Sequence, residues 1–217
     1  MLLKLYYGYM ALLLLLTLIM GSTWRRAKSG TKILTVLVAT GLLTEVLALY
    51  SARTYGTNAL VYAVSTVVQT CLIYSYILNI AEVKAKKWTA FLMAVPLLMG
   101  IWSLTKLWPP ELGEDGFMYF STISIISLCL FALLSIANKM KHEQRLATHL
   151  SFCMCMLLLL YEVSTFRTWM PYTYLAEQSL ANSDALQTYL LLINILTYAV
   201  LGLLLFFLPA KKYAYGY

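Results

Sequence analysis

Seven times along its 217 residues the chain runs apolar for about twenty residues before a basic or turn-forming cluster interrupts it. "GYMALLLLLTLIMGS" and "LLLINILTYAVLGLLLFF" are typical of these runs. Wound as a helix at about 1.5 Å per residue, each is as long as the hydrocarbon core of a bilayer is thick. The spacing predicts spans over 2–22, 32–52, 58–81, 88–107, 117–138, 146–168 and 186–209. In hydrocarbon every backbone N–H and C=O has to be satisfied inside the protein, and the period-2 alternation of a membrane barrel is missing, so the runs are read as helices. Composition agrees: 12% of residues are charged, where a soluble domain carries about a quarter. The expected fold class is an all-α integral membrane protein, a seven-transmembrane-helix bundle forming one domain over 1–217.

Basic residues set the expected orientation. Twelve of the sixteen Lys and Arg fall between spans one and two, three and four, five and six, or after span seven. The other side has only Lys4, Arg53, Lys106 and Arg167, together with the acidic stretch "PPELGEDG". That bias places the N-terminus outside and the C-terminus in the cytoplasm, in a multi-pass protein of the bacterial inner membrane. The first run has Lys4 ahead of its leucines, as a secretory signal does. It is followed by "TWRRAKSGTK" rather than by a small-residue cleavage site, and it is expected to be retained.

The net charge of +7 is absorbed by this topology, and nucleic acid is not expected as a partner. Cys71, Cys129, Cys153 and Cys155 all lie in apolar segments and form no disulfide framework. Pro96 is placed to kink span four. The five tryptophans and most of the 17 tyrosines fall near span ends, as in the aromatic belts of membrane proteins. His142 and His149 stand at the cytoplasmic end, far from the carboxylates, so no metal site is expected. No phosphate-binding loop, HExxH or nucleophile elbow occurs. The last span contains no lysine, which excludes a covalent retinal pigment, and no cofactor is expected. "NPxxY", expected of a G-protein-coupled receptor, is missing as well.

What remains is a polar layer in the outer half of the bundle. Glu45 in "LLTEVLALYSARTY" lies about 10 Å inside the outer end of span two at helical rise. Tyr62 and Gln69 in span three, Glu162 in span six and Asn194 and Tyr198 in span seven fall at comparable depth, with Arg167 near the mouth. A carboxylate at the bilayer centre costs roughly 2.5–3.5 kcal/mol, so such residues face the bundle interior and find partners. Two readings follow: a ligand or ion pocket with ionisable walls, or a layer of interhelical hydrogen bonds fixing the packing, with Glu45 or Glu162 paired to Arg53 or Arg167.

Spans two and three, "LLTEVLALYSARTYGTNALVYAVSTVVQTCLIYSYILN", resemble small uncharacterised seven-helix membrane proteins of Bacteroidota. The likeness rests on Thr44, Glu45, Asn58, Tyr62 and Gln69, and on Asn194 and Tyr198 in the last span. This chain has Gln69 where that family commonly has glutamate, and Ala63 where it has histidine beside the tyrosine. The resemblance implies the topology and no particular activity.

From the residues, the leading expectation is a non-catalytic protein without catalytic residues. It is either a sensor of a small ligand or lipid, or an accessory subunit of a larger membrane complex, docked through helix contacts in the lipid bilayer. The alternative is a transporter of protons, ions or small solutes using Glu45 or Glu162. A membrane-embedded lipid hydrolase is a third and weaker reading.

Overall fold

The computed structural model describes residues 2–81, 86–106, 114–139, 150–176 and 180–207, with side chains over 2–81, 89–105, 117–138, 150–165 and 185–206. These form α1 (Leu2–Ser22), a 3-10 turn (Trp24–Arg26), α2 (Ser29–Tyr55), α3 (Ala59–Ile80), α4 (Lys86–Lys106), α5 (Glu114–Lys139), α6 (Leu150–Ala176) and α7 (Leu180–Phe207). No strand occurs among the described residues, and the protein is all-α. Five segments are long and apolar enough to cross a membrane: Leu2–Ser22, Ser29–Tyr55, Ala59–Ile80, Phe117–Asn138 and Ala185–Phe206. The apolar stretches Thr89–Thr105 of α4 and Leu150–Thr165 of α6 are shorter.

The solvent suited to this bundle is visible on its outer faces. Leu134, Leu196 and Phe206 are 65, 66 and 75% exposed, among many other large apolar side chains. A soluble monomer rarely exposes contiguous apolar patches larger than a few hundred Å². Hydroxyls on these helices are satisfied locally, as an apolar solvent demands. Thr35 donates to Thr31 C=O at 2.8 Å, Thr66 to Tyr62 C=O at 2.9 Å and Ser75 to Cys71 C=O at 2.9 Å. This is a membrane protein by the length, apolarity and surface of its helices.

Helix contacts close into a ring in the order α1, α2, α3, α5, α6, α7 and back to α1, while α4 packs against both α3 and α5. The turn from α2 to α3 takes three residues. Gly56 ends α2 at φ 74°, a left-handed conformation that glycine adopts without strain, and its N–H donates to Ala52 C=O at 3.1 Å. Ser51 Oγ donates to Thr57 C=O at 2.7 Å and fixes the turn. On α4, a Cβ at Gly100 would stand 2.6 Å from Val67 Cγ1, so α3 and α4 approach as closely as they do only because residue 100 has no side chain.

The core is concentrated at one end. Leu16 and Met20 close α1, Leu34 and Val38 open α2, Tyr76 and Ile77 close α3, Met154 and Cys155 open α6, and Leu201 lies towards the end of α7. All are buried in one cluster, with Cys129, Ala132 and Ile136 of α5 between them. Arg25, Arg26, Lys28 and Lys32, between α1 and the first turn of α2, lie at this sealed end. The opposite end, at the α2–α3 turn, is packed less fully.

Helix bounds differ from the apolar runs in one informative way. The stretch 169–185, between the sixth and seventh apolar runs, is largely taken up by extensions of α6 and α7, which stop at Ala176 and resume at Leu180. Apolar run length reports where hydrocarbon ends, whereas a helix continues into water wherever its residues have adequate propensity.

Candidate ligand-binding cavity

Helical spacing brings the polar residues onto inward faces. On α2, Gly41, Thr44, Glu45 and Ala48 follow the i, i+3, i+4, i+7 pattern, with Gly41, Thr44 and Ala48 buried. On α3 the same rule aligns Tyr62, Ser65 and Gln69, on α7 it aligns Asn194 with Tyr198, and on α1 it aligns Tyr6 with Tyr9.

Glu45 is held by phenols from two neighbouring helices. Tyr6 Oη donates to Glu45 Oε2 at 2.8 Å, and Tyr62 Oη donates to the same oxygen at 3.1 Å. Among the described residues no donor reaches Oε1, and no lysine or arginine pairs with the carboxylate. Arg53 is exposed at the end of α2.

Below Glu45 a second set of hydrogen bonds ties α2 to α3. Thr44 and Ser65 share a hydrogen bond, Thr44 Oγ1 donates to Thr40 C=O at 2.7 Å, and Gln69 Nε2 donates to Ser65 Oγ at 2.9 Å. A hydroxyl has one proton. With the Thr44 proton on Thr40, the chain runs in one direction, from Gln69 through Ser65 and Thr44 to the α2 backbone. It leaves the Gln69 carbonyl oxygen without a donor in this chain of bonds.

These groups line a cavity of about 410 Å³ with walls from all seven helices, from Tyr9 on α1 to Tyr198 on α7. The volume falls within the range of small-molecule sites, roughly 300–1,000 Å³. Asn58 and Ala59 at the start of α3 and Phe117 near the start of α5 place one side of it at the α2–α3 end of the bundle. Gln69, Asn194 and Tyr198 line it further along α3 and α7, towards the sealed core. Four tyrosines line it: Tyr9, Tyr62, Tyr161 and Tyr198. The rings of Tyr9 and Tyr198 pack at 5.9 Å with a 44° tilt, and the Tyr198 hydroxyl stands 3.2 Å from where a Cβ on Gly41 would be. Asn194 makes no side-chain hydrogen bond among the described residues although it faces this space. Among the described lining residues Glu45 is the single carboxylate, and there is no Lys, Arg or His.

Of the residues singled out in the sequence, Glu45, Tyr62, Gln69, Asn194 and Tyr198 meet in this one cavity. Glu162 does not line it. It is 7% exposed, with Thr122 of α5 beside its carboxylate and its own C=O accepting from Thr165 at 3.2 Å. The Arg167 side chain lies outside the described residues, as do His142 and His149. Tyr6, Tyr9 and Tyr161 belong to the site and were hidden among tyrosines expected to form a membrane belt. A signal for Tyr9 existed: Tyr9, Leu13, Leu16 and Met20 share the buried face of α1. Among the described residues no group of three or more His, Cys, Asp or Glu gathers as a metal site would require. Comparison with known proteins gives no match: no family, no curated protein and no solved structure is similar to this chain.

Proposed function

We propose that this chain is a non-catalytic ligand-binding protein of the bacterial inner membrane, a sensor whose cavity receives a small molecule from the outside. All seven helices would span the bilayer, with the N-terminus outside and the C-terminus in the cytoplasm, as in the Bacteroidota proteins that its second, third and last spans resemble. The lysine and arginine bias supports that orientation, in which the cavity end would face outside and the sealed end the cytoplasm.

The observation that carries the reading is the cavity itself, with Glu45 held in its wall by Tyr6 and Tyr62 instead of neutralised by a cation. Were the polar layer only packing glue, direct pairing would fill the space between helices. Here Asn194 and one oxygen of Glu45 are left facing it or unbonded. A ligand touching all seven helices would shift their relative packing, and the short basic loops are where that shift would be read.

Native mass spectrometry of the gently purified full chain tests this. A small-molecule adduct is expected on the wild type and on Glu162→Gln, and is expected to be lost from Glu45→Gln. A second protein chain bound stoichiometrically to the wild type and to Glu45→Gln alike, with no adduct, would favour the accessory-subunit reading. Solute or proton flux in liposomes, abolished by Glu45→Gln, would make the protein a transporter instead.

A further inference from the structure

The chemistry of the cavity wall narrows the kind of ligand. Among the described lining residues there is one carboxylate and no basic group, so the site offers a carboxylate that no described basic side chain answers. That carboxylate keeps one oxygen free of donors among the described residues. Around it stand aromatic rings, Tyr9, Tyr62, Tyr161 and Tyr198, with Phe117 on the α5 side. Aromatic faces attract cations through the ring quadrupole, more strongly where water is excluded. A hard metal ion is a poor match: calcium takes about six to eight oxygen ligands with several carboxylates, and no such group gathers among the described residues. A cavity of about 410 Å³ is also far larger than a bare ion needs.

Resting on the ligand-binding reading above, we infer that the cavity recognises a small organic ammonium ion, a protonated amine or quaternary ammonium group, between Glu45 and the tyrosines of α1, α3, α6 and α7. Glu45 supplies the counter-charge, and the rings supply a polarisable apolar wall that a strongly hydrated ion would not repay. Asn194 and the Gln69 carbonyl, further towards the sealed core, are positioned for the polar end of a longer amine. The same ammonium chemistry is carried by free amines and by lipid headgroups.

The test uses the full chain in nanodiscs of phosphatidylglycerol alone, which has no ammonium group. Choline and tetramethylammonium are titrated against 3,3-dimethylbutan-1-ol, the uncharged isostere of choline, with binding followed by calorimetry. Choline is expected to bind about tenfold or more tightly than the isostere. Glu45→Gln is expected to erase that preference, and Glu162→Gln to retain it. Repeating the titration in phosphatidylethanolamine nanodiscs separates the sources. Suppressed choline binding there points to a headgroup occupying the site, and unchanged binding points to a free amine. Equal affinity for choline and its isostere, or a choline preference that survives Glu45→Gln, would overturn the ammonium assignment while leaving a binding cavity. If no probe binds, the ammonium assignment falls. Reactivity of Ala63→Cys, on the cavity wall, then decides whether the cavity reading falls with it.

Discussion

Replacing Tyr62 with phenylalanine removes one of the two donors on Glu45 Oε2 and leaves the ring in place. Interhelical hydrogen bonds in membrane proteins average about 0.6 kcal/mol and reach about 1.7. Tyr62→Phe and Tyr6→Phe are each expected to lower stability by about 1 kcal/mol in reversible unfolding from mixed micelles. Because both donors share one oxygen, the double variant should cost less or more than the sum of the two, and an additive result would mean that the bonds do not form together. Glu45, Tyr62, Gln69, Asn194 and Tyr198 were legible in the sequence because polar residues in long apolar runs stand out by their cost. Tyr6 was not, since a tyrosine near a span end serves an interface equally well, and Tyr161 was not, since a ring in mid-span serves core packing equally well. Glu162 was legible as a buried carboxylate, but its direction was not. Glu162 is buried beside Thr122 of α5 while its neighbour Tyr161 lines the cavity, and which of these adjacent α6 residues does so depends on how α6 packs against α5 and α7.

Among the elements, the α3–α4 contact is the most exacting. Gly100 lets the α4 backbone lie directly on the β-branched Val67, whose two γ-carbons leave no room for a methyl group. Gly100→Ala is expected to destabilise the fold by about 1–3 kcal/mol, an overpacking cost, and Val67→Ala in the same chain should restore much of it. Thermal unfolding of the two single variants and the double variant measures this. Recovery would place the strain at this contact, and its absence would place it elsewhere. The gap between runs at 22 and 32 in the sequence likewise concealed how little loop exists there. A 3-10 turn over Trp24–Arg26 fills it, Lys32 Nζ lies 5.7 Å over the Trp24 ring, and α2 starts at Ser29. Apolar runs located each of the seven described helices, five of which are long and apolar enough to cross a bilayer. They left the ends open, because capping and propensity decide those outside the hydrocarbon.

At the scale of the whole molecule, the bundle divides into a sealed half and a hollow half. Leu34, Val38, Ile77, Met154 and Leu201 close the first, while side chains from all seven helices surround the second. The order of helices around the ring was not legible in the sequence, since the apolar runs carry no record of which helix touches which. It is this order that brings α1 beside both α2 and α7 and so places Tyr9 against Tyr198. The central claim is that the hollow half is a cavity open to small molecules from outside the cell. Its most direct test is the reactivity of Ala63→Cys, on the cavity wall, towards a membrane-impermeant maleimide applied to intact spheroplasts. Cys71 and Cys153 would be replaced by serine, and the buried Cys129 and Cys155 kept as internal controls. The account predicts labelling at position 63 from the outside and none at Cys129 or Cys155. A cysteine at 63 as unreactive as those two would contradict it, and the polar layer would then be packing alone.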